Sequence, residues 1–267
     1  FPQLGAPVGL FLSSGIFWLL LHVMSNEALI SWGWRIPFIA STLLIAVGLW
    51  VRFSISETPA FQKAIDKHER VAVPAKEIFT KYKRSLFLGT FVALVTFVLF
   101  YIATAWLLSY NVKVLKIPFL DALEIQILSA VVFGIFIPLT GIVGDKVGRR
   151  LSLIVITVLI AAFSFLLPVL LGGGEAGVAI FAASAMALMG MTYALIGAAL
   201  AAPFPTSVRY TGASLTFNFA GIVGASLAPY IATWLQTTYG MAAVGYYLGL
   251  AAVITLICIL ASGKDEV

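Results

Sequence analysis

Groups with reactive side chains are scarce in this chain. Its 267 residues include one cysteine, two histidines and eleven acids, and charged residues of all kinds make up only 10%. The single Cys258 excludes an internal disulfide and any site that needs two thiolates; inside an apolar run, its expected state is an inert core thiol. No His, Asp and Glu stand together at metal-ligand or nucleophile-and-base spacing, so no catalytic residue, metal site or cofactor is assigned. Soluble domains carry roughly 25% charged residues. The shortfall here, with 61% hydrophobic residues and a mean hydropathy of +1.07, marks an integral membrane protein whose first partner is the lipid bilayer. The net charge of +5 does not imply a nucleic-acid partner, because the bases are not gathered on a soluble domain.

Eight apolar stretches are each long enough to cross a hydrocarbon core of about 30 Å as a helix. They run from Leu4 to Met24, Ile36 to Ser54, Ser85 to Tyr110, Ala122 to Val143, Leu151 to Leu171, Ala176 to Ala202, Gly212 to Leu235 and Met241 to Ser262. The expected fold is therefore all-α, a polytopic helical bundle. Lys and Arg concentrate in loops on the cytoplasmic side of membranes. One set of loops holds thirteen of the sixteen bases, and the other holds only Arg35, Lys113 and Lys116, which places both chain ends and the long polar connection in the cytoplasm. That connection divides the chain into residues 1–54, a linker 55–84 and a bundle 85–267. Thr58 with Pro59, and then Pro74, suit helix starts. Phe61 with Ile65, and Ile78 with Tyr82, give each short helix an apolar stripe suited to the inner membrane surface. The chain opens on Phe1 with neither a basic flank nor a cleavage site before its first span, and is expected to begin within a longer protein.

Between the fourth and fifth stretches lies Gly141-Ile142-Val143-Gly144-Asp145-Lys146-Val147-Gly148-Arg149-Arg150. Positive-inside bias accounts for the bases, but not for the acid or the spaced glycines. The pattern G-x-x-x-D-[RK]-x-G-R-[RK] resembles the signature loop of the major facilitator superfamily of transporters. Three more segments resemble that superfamily's metabolite:H⁺ symporter family: Trp32-Gly33-Trp34-Arg35-Ile36-Pro37-Phe38, Ser56-Glu57-Thr58-Pro59-Ala60-Phe61 and Phe204-Pro205-Thr206-Ser207-Val208-Arg209-Tyr210-Thr211-Gly212. All fall in the family's order. The resemblance makes the eight stretches the family's fifth to twelfth helices: two helices of an N-terminal half, followed by a complete C-terminal half. On this reading the chain alone lacks one wall of the pathway and is not expected to transport, and its first two spans are expected to pack mainly with helices outside it. Ala202 is a departure, since relatives often carry Glu there to pair with the base at Arg209.

The resemblance implies alternating-access transport of a small organic solute, a carboxylate or zwitterion, with proton symport, by a monomer in the inner membrane. None of the eleven acids sits mid-membrane, His22 lies near a span end and His68 lies in the linker. A proton carrier is therefore expected in helices outside this chain. Polar side chains within spans are the candidates to line the path: Tyr101 and Thr104 on the third, Gln126 on the fourth, Asn218 on the seventh. Such groups also bond helix to helix with no solute involved. Asp145 is expected to pair with Arg149, Arg150 or a helix N-terminus and so to steady one conformation. A channel or membrane-embedded enzyme is the alternative, but the sequence offers neither a ring of charge nor a catalytic cluster.

Overall fold

In the computed structural model, residues 2–54 and 74–263 are described, and among them every regular element is helical. A lone turn of 3-10 helix, Pro2–Leu4, leads into α1 (Gly5–Val23); α2 (Asn26–Ser31) and α3 (Ile36–Ser54) follow. After the linker come α4 (Pro74–Lys81), α5 (Lys83–Val92), α6 (Leu94–Tyr101) and α7 (Leu107–Lys113), with a π-turn at Ile102–Trp106 between the last two. The remainder is α8 (Phe119–Val147), α9 (Arg149–Ser164), α10 (Leu167–Leu171), α11 (Gly174–Ala201), α12 (Arg209–Gly221), a second π-turn Ile222–Ser226, α13 (Ala228–Tyr239) and α14 (Met241–Ala261). Helices suit a bilayer because each satisfies its backbone groups internally.

Seven helical runs among the described residues are long and apolar enough to span a membrane. Seven of the eight expected stretches correspond to these. The fifth, Leu151 to Leu171, is broken: α9 ends at Ser164 and α10 begins at Leu167, with Pro168 in its first turn. Proline is tolerated there because the amide it lacks has no intrahelical partner. Hydropathy cannot register this break, since Phe165 and Leu166 are themselves apolar. The seventh stretch is longer than expected and runs from Arg209 to Tyr239 through its π-turn.

Close approach organises the bundle. A Cβ on Gly190 of α11 would lie 2.7 Å from the Phe133 carbonyl of α8, so these helices touch backbone to backbone around fully buried Phe133. In α14, a Cβ on Gly245 would meet the Ser164 carbonyl of α9, and one on Gly249 would meet Ser164 Oγ at 2.9 Å. The main core runs through α6, α8, α9, α11 and α14. Leu128, Ile135, Val155 and Leu250 remain exposed, as an apolar surface facing hydrocarbon requires.

Two expectations change. The apolar stripe of α4 faces protein rather than lipid: Ile78 is completely buried against Phe204 and Val208, and Tyr82 stands edge-on to Phe204. The preceding short helix from Thr58 lies outside the described residues. The first span also has a partner within this chain. α1 lies along α8, where Gln126 Nε2 donates to Ser14 Oγ at 3.2 Å and Trp18 Nε1 to Glu124 Oε1 at 2.9 Å. In α3, by contrast, no residue is buried.

Candidate functional site

A cleft of about 590 Å³ opens where the start of the chain meets the end of α11 and the start of α12. Its polar members are Gln3, Thr206, Arg209, Tyr210, Ser214 and Asn218. Helix α12 supplies most of them because Ser214 and Asn218 are four apart and share one face. Asn218 Nδ2 donates to the Ser214 carbonyl at 2.8 Å, which turns its amide oxygen outward from that bond. Gln3 crosses from the first span to donate to the Tyr193 carbonyl of α11 at 3.0 Å. The cleft is thus walled by the first span on one side and the later bundle on the other.

Arg209 supplies the cleft's charge. Its Nε donates to the Phe204 carbonyl at 3.0 Å, folding the guanidinium back over its own loop. Among the described residues no carboxylate pairs with it, and nearby Ala202 is exposed and offers none. Two guanidinium nitrogens therefore remain for an anionic group, in a geometry matched to a carboxylate.

The other expected path residues lie elsewhere. Thr104 is buried, and its hydroxyl is spent on the Phe100 carbonyl at 2.6 Å. Tyr101 is half-buried and edge-on to Phe100, at the head of the first π-turn. Gln126 joins α8 to α1 as described. Of the four, Asn218 lines this cleft. Gln3, Ser214 and Thr206 were missed; the available signal was the i, i+4 pairing of Ser214 with Asn218.

The signature loop closes α8 at Gly148, whose φ of +99° suits glycine, and α9 starts on the next residue. Asp145, Lys146 and Arg149 are exposed, and Asp145 forms no ion pair with Arg149 or Arg150, two of its three expected partners. Arg150 Nη2 instead donates to the Leu260 carbonyl at 3.1 Å, while Arg84 Nη2 reaches the Ala261 carbonyl at 2.7 Å. Two cations thus sit on the negative end of the α14 dipole.

Seven long apolar helical runs among the described residues and a short charged turn between α8 and α9 describe a polytopic helical membrane protein. The chain belongs to the Major Facilitator Superfamily, whose family profile matches residues 3–229. It is 43% identical over 266 residues to the inner membrane metabolite transport protein YhjE of Escherichia coli K12, covering 97% of this chain and 60% of that one. It is 30% identical to the proline/betaine transporter of Salmonella typhimurium, over 95% of this chain and 53% of the relative. The glycine betaine/proline/ectoine/pipecolic acid transporter OusA of Dickeya dadantii is 28% identical, with 95% and 52% covered. The chain therefore spans about half to three fifths of the length of these relatives, all named as transport proteins rather than enzymes. No solved structure matches it.

Proposed function

We propose that this chain forms the greater part of a secondary transporter that moves a small carboxylate or zwitterion across the inner membrane by alternating access. The observation that carries this reading is Arg209, a cation that pairs with no carboxylate among the described residues, in a cleft also lined by Gln3, Ser214 and Asn218. Such a set binds a carboxylate by charge-assisted hydrogen bonds and leaves neutral donors for the rest of a small solute. The cleft lies between the first span and the later bundle, the kind of boundary around which the halves of such transporters rock. Relatives named for proline and betaines carry solutes with a carboxylate and a cationic nitrogen, which fits a site with one fixed cation and several dipoles.

Coupling to protons is part of the proposal, with the carrier outside this chain. Glu124, within α8, is hydrogen-bonded to Trp18 and bridges two spans. The test is uptake by transport-deficient cells that express the complete protein, screened against radiolabelled organic acids, proline and betaines, with and without a protonophore. Saturable uptake of one class that collapses with the proton gradient is expected. Non-saturable uptake of many unrelated solutes would favour a channel and overturn the reading.

A further inference from the structure

A second cavity lies far in character from the polar cleft. It is a groove of about 380 Å³ between α8 and α9, floored by Met191 of α11. Phe136, Leu139, Val143 and Val147 line one wall at three- and four-residue spacing, and Leu151, Val155 and Leu159 line the other. Its cause is visible in the packing. Helices α8 and α9 are joined by Gly148 alone, yet α9 leans toward α14, held by the Arg150 bond to Leu260 and by the contact of Ser164 with Gly249. Helix α8 packs on α11 instead. The two consecutive helices therefore splay. From Phe136 to Val147 the groove follows eleven helical steps, about 16 Å at about 1.5 Å per residue.

In a bilayer an open apolar groove on the surface of α8 and α9 is filled by hydrocarbon, and the groove's end selects which lipid supplies it. Lys146 adjoins groove-lining Val147, and Arg149 stands two residues before groove-lining Leu151. Both are exposed, and among the described residues neither makes an ion pair or a side-chain hydrogen bond. Asp145 is the single acid of the loop and Arg150 is committed to α14, so the loop keeps a positive balance at the groove mouth. A long apolar slot ending at two uncommitted cations has the chemistry of an anionic amphiphile. We propose that the groove seats one acyl chain of an anionic phospholipid, with Lys146 and Arg149 holding its headgroup phosphate.

This inference is independent of what the transporter carries. It is tested by native mass spectrometry of the purified protein with equimolar phosphatidylglycerol and phosphatidylcholine of identical chains. The expected result is one retained phosphatidylglycerol, preferred about 30-fold, from two cations at about 1 kcal/mol each. Lys146→Gln with Arg149→Gln should bring the two lipids to parity. Val155→Trp, which fills the groove, should lower retention of both in protein whose helicity by circular dichroism is unchanged. Equal retention of the two lipids by the unaltered protein would overturn the proposal. So would a preference that survives loss of both cations, or retention that survives filling of the groove.

Discussion

Asp145 illustrates how a residue can be legible in sequence while its contact is not. The spacing of Gly141, Asp145, Gly148 and Arg149 marks the loop, yet the carboxylate is exposed and unpaired in this conformation. A group with no partner here contributes little to the stability of this state. Its proposed use lies in another conformation, where a helix N-terminus or a cation comes within reach. Asp145→Asn should therefore leave the melting temperature in detergent unchanged, to within the effect of a surface substitution of about 0.5 kcal/mol. It should nonetheless reduce uptake in cells. A mutant with normal uptake would remove the residue from the transport cycle, and a large fall in melting temperature would mean a stabilising contact in this state. Gln126 is the opposite case. A polar side chain in a span reads equally well as path or as glue, and its bond to Ser14 gives it a helix-to-helix contact, which sequence alone could not show because the partner lies 112 positions away.

Among the elements, α14 shows how loops discipline helices. Arg84, in the first turn of α5, and Arg150, at the start of α9, converge on the last carbonyls of α14, and Ser262 Oγ closes the end by donating to Cys258 O at 2.9 Å. A cation at a helix C-terminus contributes about 0.3–1 kcal/mol. Arg150→Ala should thus speed hydrogen exchange at the Ser262 amide, which bonds to Cys258 O, by up to about fivefold while leaving mid-helix amides alone. Unchanged exchange at that amide would show that the cap is idle. Most helices were legible because a span needs a long apolar run and little else. What stayed hidden has no hydropathy signal: the break at Phe165 and Leu166, and the π-turns at Ile102–Trp106 and Ile222–Ser226, lie within mostly apolar runs and differ only in backbone register. The docking of α4 was half legible. Its stripe of Ile78 and Tyr82 announced an amphipathic helix, but not that Phe204 rather than lipid would cover it.

At the scale of the whole molecule, charge asymmetry still implies an orientation. The loops that hold Lys146 and Lys113 should lie on opposite sides of the membrane, with Lys146 inside. In a Cys258→Ser background, a cysteine at Lys113 should react with an impermeant thiol reagent applied to whole cells, and one at Lys146 should not. The reverse pattern would invert the topology. The cleft was the least legible feature, because it arises only when Gln3, at one end of the chain, meets α11 and α12 some two hundred residues later. Arg209 was visible as part of a motif, and Ala202 as a missing acid, but that the base would stand in a cavity with Asn218 required the fold. The central claim is that this base binds the solute's anionic group. It is tested most directly by the KM for uptake of the solute that the complete protein carries, compared between the unaltered protein and Arg209→Gln at matched membrane abundance. Loss of charge-assisted hydrogen bonds worth about 1.5–3 kcal/mol predicts a KM raised about 10- to 100-fold. An unchanged KM in Arg209→Gln would contradict the account.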